Sequence, residues 1–336
     1  MNDKSLNTNL NKAKSKVADD QYTQLIDIEK ELKHYKKHFK NKVVYCNCDD
    51  PRVSNFFYYF SHNFEHLGLK KLISSCYKNK EIDLFSFNDQ DQSIYLEYDG
   101  DKNGNRIPDL EEIGIKYFKG DGDFRNNESI ELLKEADIVV TNPPFSLINE
   151  YISQLIKYKK KFLIMGDQNH ISYKEIFSLI RNGKLWLGVD NGGNKWFEVR
   201  DHYNIKTEKR KKIVNGKKYF SMGRIVWFTN LEHNKRNQDL ILYKEYNQKD
   251  YPNYDFYNVI FVDEVANIPK DYPGPMGVPL TFLDKFNPKQ FEILDCNDLR
   301  LNKSVPFKKH GLIKDKDGSI DGKPKFIRIV IRNKKL

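Results

Sequence analysis

The sequence predicts an α/β fold, a doubly wound and mostly parallel sheet covered by helices, followed by a C-terminal region of different texture. Three observations carry that expectation. From Lys42 to Val189, short apolar runs alternate with amphipathic stretches, the β-α-β-α rhythm of a sheet packed between helices. One apolar run, DIVVT at 137–141, stops abruptly in two prolines. After Val189 the alternation gives way to strand-like segments, loops and prolines. The expected division is a flexible arm over 1–19, a sheet-bearing catalytic domain over 20–232 and a C-terminal region over 233–336.

The elements follow in order. Tyr22 to Phe39 sets Leu25, Ile28, Leu32, Tyr35 and Phe39 at three- and four-residue spacing, which predicts one amphipathic helix. KVVYCNC is an apolar strand. Behind it, Asp50 is placed to cap a helix and Pro51 suits that helix's first position. The helix runs through RVSNFFYYFSHNFEHL and Gly68 closes it. LKKLISSCY reads as a strand, and residues 93–124 as two strands around a polar loop. ESIELLKEA and SLINEYISQLIKY are helices on either side of the strand DIVVT. KFLIMGD and LWLGV are strands separated by the helix YKEIFSLIRNG, and WFEV and RIVWFTNL are later strands. Lys206 to Phe220 reads KTEKRKKIVNGKKYF, a basic ribbon in which Asn215-Gly216 is a two-residue hairpin turn.

Composition narrows the function. Lys and Arg number 57 against 47 Asp and Glu, a net charge of +10, which points to a polyanionic partner, although solubility alone also favours such a surplus. A hydrophobic content of 39% with 13% aromatics excludes a disordered chain. No apolar stretch approaches the roughly 18 residues of a membrane-spanning helix. The first twenty residues lack the apolar core of a secretion signal. Cys46, Cys48, Cys76 and Cys296 do not make a disulfide scaffold, so a reducing cytoplasm is the expected compartment. His62 and His66 fit H-x-x-E-H, but the helix around them is explained as a crossover. Asp101, Asn103, Asn105, Asp109 and Glu112 resemble a calcium loop with Arg106 where glycine is usual, and Cys46-x-Cys48 fits neither a zinc pair nor a redox pair. No metal is expected.

The tetrad Asn142-Pro143-Pro144-Phe145 carries the chemistry. Open α/β sheets bind ligands at the carboxyl ends of their strands, which is where the tetrad falls. The prolines remove two backbone donors and fix two φ angles. The Asn142 and Pro143 carbonyls are then freed from the ladder, the Asn142 side-chain oxygen is a further acceptor, and Phe145 adds a flat face. Such a corner suits a planar amine. The bland reading is a strand that simply ends in a proline turn.

NPPF is similar to the catalytic motif of adenosylmethionine-dependent amino-methyltransferases. KVVYCNCDDPRVSNFF, KYFKGDGDFRN, DIVVTNPPFSL, KKFLIMGDQNHISYKEIF, WFTNL and GPMGVPLTFLDKFNPKQFEIL resemble, in this order, the blocks of the EcoRI-type adenine-specific DNA methyltransferase family. The resemblance covers most of the chain. It implies a class I, Rossmann-like methyltransferase fold with a C-terminal target-recognition region. It implies methyl transfer from S-adenosyl-L-methionine to N6 of an adenine flipped out of double-stranded DNA. Asn142, Pro143, Pro144 and Phe145 are then catalytic. Tyr22, Thr23, Cys46, Asn47, Asp49, Asp50, Asp123 and Phe124 are cofactor-binding. The first turn carries none of the glycines common in methyltransferases, a variant this family shares. The second strand lacks the usual terminal acid for the cofactor ribose. Trp196, Phe197, Lys209, Arg210, Lys211, Lys212, Lys217 and Lys218 are candidates for DNA contact. A monomer is expected, with a cognate restriction endonuclease acting independently as a further partner. Methylation of RNA or of a protein glutamine, and an inactive DNA-binding homologue, are the competing readings.

Overall fold

The computed structural model describes residues 21–77, 93–105, 108–109, 111–199, 208–294, 312–313 and 318–336. The expected arm over 1–19 and Cys296 lie outside them. The chain forms two units. The first holds the chain up to Gln168 together with Asp190–Leu231; the second holds Asn169–Val189 and Glu232–Leu336.

In the first unit the chain forms β1 (Gln21–Thr23), α1 (Leu25–Leu32), α2 (Lys36–Phe39), β2 (Val43–Asn47), α3 (Asn55–His62), α4 (Phe64–Leu67) and β3 (Lys71–Ser75). It continues with β4 (Ile94–Tyr98), β5 (Gly114–Tyr117), α5 (Asn127–Glu135), β6 (Ile138–Thr141), α6 (Ile148–Lys157) and β7 (Lys161–Asp167). After α7 (Lys174–Arg181) and β8 (Trp186–Leu187), which belong to the second unit, come β9 (Asn194–Val199), β10 (Lys211–Val214), β11 (Lys217–Gly223) and β12 (Ile225–Thr229).

The main sheet of this unit runs β5-β4-β3-β2-β6-β7-β12. β3, β2, β6 and β7 are mutually parallel. β4, β5 and β12 are antiparallel to their neighbours. The sheet is therefore mixed, where the sequence predicts a mostly parallel one. Apolar period reports burial and not strand direction, and the hairpin β4-β5 reads the same either way. Every residue of β2, β6 and β12 is buried, which is why these strands are continuous apolar runs.

Two local expectations change. Tyr22 to Phe39 is not one helix. Thr23 pairs with Phe197 in an antiparallel ladder, and the helix breaks between Leu32 and Lys36, where the Tyr35 hydroxyl donates to Glu31 Oε1 at 2.7 Å. The predicted apolar face survives the break, because Ile28, Leu32, Tyr35 and Phe39 are all buried. Asp50 does not cap the next helix. Its carboxylate takes Arg52 in a fork of 3.0 Å and 2.7 Å, and the helix begins only at Asn55. Ser54 caps it, its hydroxyl accepting from the amides of Phe56 and Phe57 at 3.2 Å and 3.4 Å.

β1, β9, β11 and β10 form a separate antiparallel sheet, with Asn215-Gly216 at φ 50° and 77° turning β10 into β11. In the second unit, β13 (Asn253–Tyr254), β14 (Tyr257–Phe261), β15 (Met276–Pro279), β20 (Arg328–Asn333) and β16 (Phe291–Ile293) form a sheet in that order, and β17 (Leu312–Ile313) also pairs with β20. Tyr254, Tyr257, Val259, Ile313 and Val330 pack in its core. No helix among the described residues is long and apolar enough to cross a membrane.

Ser54→Ala should cost about 1 kcal/mol in urea denaturation, the ordinary loss for an N-cap. An unchanged midpoint would show that the cap is dispensable.

Candidate active site

From β2 the chain goes to β3 on one side, and it later returns to β6 on the other side of β2. The order therefore reverses between β2 and β6, and a crevice is expected beyond their carboxyl ends. The first strand ends there in Cys46-Asn47, followed by Cys48-Asp49, and the second ends in Thr141, followed by Asn142-Pro143-Pro144-Phe145. The fold thus brings two parts of the predicted site together that lie about a hundred residues apart in sequence. Pro143 is buried, whereas Asn142, Pro144 and Phe145 are half-buried, so the corner is open on one side.

Side chains fix the junction. The Thr141 hydroxyl donates to the Asn47 carbonyl, and the Tyr151 hydroxyl donates to Asn47 Oδ1. Cys48 has φ 107°, a conformation in which glycine is at ease and other residues are strained. This cysteine takes the place of the missing glycine. Its amide donates to the Ser75 carbonyl at 3.0 Å and ties the turn to β3. Burial pushes the Cys46 and Cys48 thiols up, and the charge of Asp49 adds to both shifts. Cys46, Cys48 and Cys76 are free thiols. Asp49 is 8% exposed and receives the Ser54 hydroxyl at 3.5 Å.

Asp123 and Phe124 reach the same region through α6. The Phe124 ring meets Tyr151 edge-on at 5.1 Å, and Gln154 Nε2 donates to the Phe124 carbonyl at 2.9 Å. Gly122, at φ 74°, lets this loop close on β3, because a Cβ there would overlap Ser93 Oγ and the Cys76 carbonyl. Burial works to raise the Asp123 carboxyl. The Arg125 side chain, at 2.8 Å and 2.7 Å, and the Arg125 amide outweigh burial and hold it below the usual carboxylate range. Thr23 joins from β1, its carbonyl accepting from Asn55 Nδ2 at 2.7 Å. The side chain of Tyr22 lies outside the described residues. Asp50 faces Arg52, as above.

The basic ribbon forms as expected but is less cationic than its sequence. Lys217 pairs with Glu198 at 3.0 Å and Lys211 with Glu208 at 3.3 Å. The Lys212 ammonium lies 4.4 Å from the Trp196 ring centroid and 5.3 Å from that of Tyr219. Lys209 and Arg210 are exposed and Lys218 is half-buried. Phe197 corrects an expectation: at 1% exposure it packs inside and offers no face to DNA. Trp196, its neighbour on the opposite face of β9, is half-buried.

His62 and His66 do not share a helix face as a metal pair. α3 ends at His62, whose ring stacks on Tyr58 at 3.9 Å, and His66 Nε2 meets Lys36 Nζ at 3.1 Å. Among the described residues, no three acidic, histidine or cysteine side chains are grouped to hold a metal ion.

The family model for adenine-specific methyltransferase EcoRI matches residues 9–334. The chain belongs to the EcoRI adenine-specific methyltransferase family. It is 49% identical over 330 residues to the Type II methyltransferase M.EcoRI of Escherichia coli, covering 97% of each chain. It is 38% identical to the Type II methyltransferase M.MgeORF184P of Mycoplasma genitalium, covering 97% of this chain and 99% of that one. It is 36% identical to M.MpnI of Mycoplasma pneumoniae, covering 96% and 98%. No solved structure matches the chain. The protein is a DNA adenine methyltransferase. Among the residues that build this candidate site, Thr141, Tyr151, Gln154 and Arg125 escaped the sequence reading. Tyr151 and Gln154 look like ordinary helix residues, and only the fold shows what they hold.

Cys48→Val should destabilise the protein by about 2 kcal/mol or more, because a β-branched residue resists φ near 107°, while Cys48→Gly should be far milder. Thermal melting of the two variants compares them, and equal losses would remove the strain argument.

Proposed function

We propose that this DNA adenine methyltransferase transfers a methyl group from S-adenosylmethionine to N6 of an adenine turned out of a DNA duplex. The proposed scaffold is a class I, Rossmann-like domain, with residues 233–336 serving target recognition. The observation that carries this reading is the open NPPF corner at the end of β6, beside the end of β2.

The residues present fit the donor. Asp49 and an ionised Asp123 suit its cationic amino group and its adenine amino group, Phe124 suits the flat base, and the buried Thr23, Cys46 and Asn47 support the strand ends that carry them. When bound, S-adenosylmethionine supplies a methyl group already activated by a sulfonium.

The chain's own residues do the rest. An adenine inside the duplex hides its N6 in the base stack, so the base has to be extruded. The Asn142 side-chain oxygen and the Pro143 carbonyl accept the two N6 hydrogens. Held this way, the nitrogen is drawn out of conjugation and its lone pair is aimed at the methyl. The diproline fixes the acceptors in advance, so positive charge growing on N6 meets oriented dipoles that need not reorganise. Phe145 stacks on the extruded base. The exposed cations of the ribbon, Lys209 and Arg210 first, meet phosphates, with Trp196 and Lys212 beside them.

Radiolabelled methyl transfer tests the reading, with duplex DNA, RNA and protein offered separately. Label should enter duplex DNA. Asn142→Ala should lower turnover by about a hundredfold or more while DNA affinity stays within about tenfold. Near-normal turnover would refute the role of Asn142. Phe145→Ala should dim the fluorescence of a 2-aminopurine placed at the target base, and an undimmed signal would count against stacking.

A further inference from the structure

The second unit carries an aromatic ring that its own packing leaves in water. β18 (Ser319–Ile320) and β19 (Lys323–Pro324) form a hairpin around Asp321-Gly322, at φ 51° and 70°. The Asp255 carboxylate fixes this turn, accepting from the Ser319 hydroxyl at 2.6 Å, the Asp321 amide at 2.9 Å and the Gly322 amide at 3.0 Å. The Lys325 amide donates to the Gly318 carbonyl at 2.8 Å. The next residue, Phe326, is 81% exposed. Cations surround it in sequence. Lys323 is exposed, and Lys325 Nζ and the Arg328 guanidinium lie 5.5 Å and 4.9 Å from the ring centroid of Phe261.

We propose that Phe326 is a wedge for the DNA substrate, its ring packing against the base stack while Lys323 and Lys325 meet the flanking phosphates. Phe326 stands among the charged neighbours Lys323, Lys325 and Arg328, whereas a lipid bilayer or an apolar protein groove rewards a contiguous apolar patch. A ring two residues beyond a braced hairpin, with lysines beside it in sequence, suits a duplex, which has π-faces to receive the ring and phosphates to receive the charges. The hairpin is braced by Asp255 before any ligand arrives, so little order is lost on contact. The inference rests on DNA being the substrate and not on the roles given to the NPPF tetrad.

The test uses the full-length protein with Phe326→Ala and Phe326→Trp. The probe is a duplex bearing the methylation site mapped in DNA from an expressing host, with 2-aminopurine placed in turn at positions other than the methylated adenine. The wild type should brighten one such position by unstacking it. Phe326→Ala should lose that signal and bind about tenfold more weakly, Phe326→Trp should keep both, and neither should lower the melting temperature. Wild-type binding and signal in Phe326→Ala overturn the proposal. Weaker binding with an unchanged signal also overturns it, since the ring then touches a groove or backbone and not the stack. A clear fall in melting temperature overturns it as well, since the ring is then packed by the protein itself. Asn142→Ala should retain the wedge signal, so failure of the wedge and failure of the catalytic corner are read separately.

Discussion

Parallel neighbours that continue in opposite directions cannot roof over the gap between them. β2 and β6 pair directly, Val44 beside Ile138 and Tyr45 beside Val139. The chain then leaves β2 for β3 and leaves β6 for β7, on opposite sides. A crevice between the two strand ends is expected from connectivity alone. The proposed donor-binding and base-binding residues of the first unit are arranged around it. Asn47 is the keystone, because its carbonyl holds Thr141 and its side chain holds Tyr151. Tyr151 in turn supports Phe124. One asparagine therefore couples the end of β2, the end of β6 and the loop that follows β5.

The charges divide by place. The chain as a whole carries +10, yet the carboxylates Asp49, Asp50 and Asp123 gather where the strands end. Asp50 and Asp123 are built alike, each accepting from the amide and guanidinium of an arginine two residues on. Each fork ties down its loop without a helix. The Arg125 fork also holds the partly buried Asp123 carboxyl below the usual carboxylate range. Acid within and base on the ribbon suit the proposed cationic donor inside and the DNA polyanion outside.

How much of this was legible beforehand depends on the range of the cause. The strands Val43–Asn47, Ile138–Thr141 and Lys161–Asp167 and the Asn215-Gly216 turn were readable, because apolar runs and turn chemistry are local. So was the tetrad, since two prolines after an apolar strand act on the backbone wherever they stand. The Ser54 cap was missed because Asp50 offers the same chemistry four residues earlier, and only the fork to Arg52 removes it from contention. Strand β1 was missed because Tyr22-Thr23 has no alternation of its own, and its partner Phe197 lies far along the chain. Phe197 was misjudged because nothing in WFEV says which of two adjacent aromatics faces inward. Direction, register and facing are settled by distant residues.

The thiols at the end of β2, Cys46 buried and Cys48 half-buried, have a practical consequence. A thiol alkylates through its thiolate, and both Cys46 and Cys48 are kept protonated by their surroundings. Iodoacetamide should therefore pass them by while the sheet is intact and modify them once it opens. Counting carbamidomethyl groups by mass spectrometry then becomes a gauge of how much of a preparation is natively assembled, independent of any assay of its catalysis.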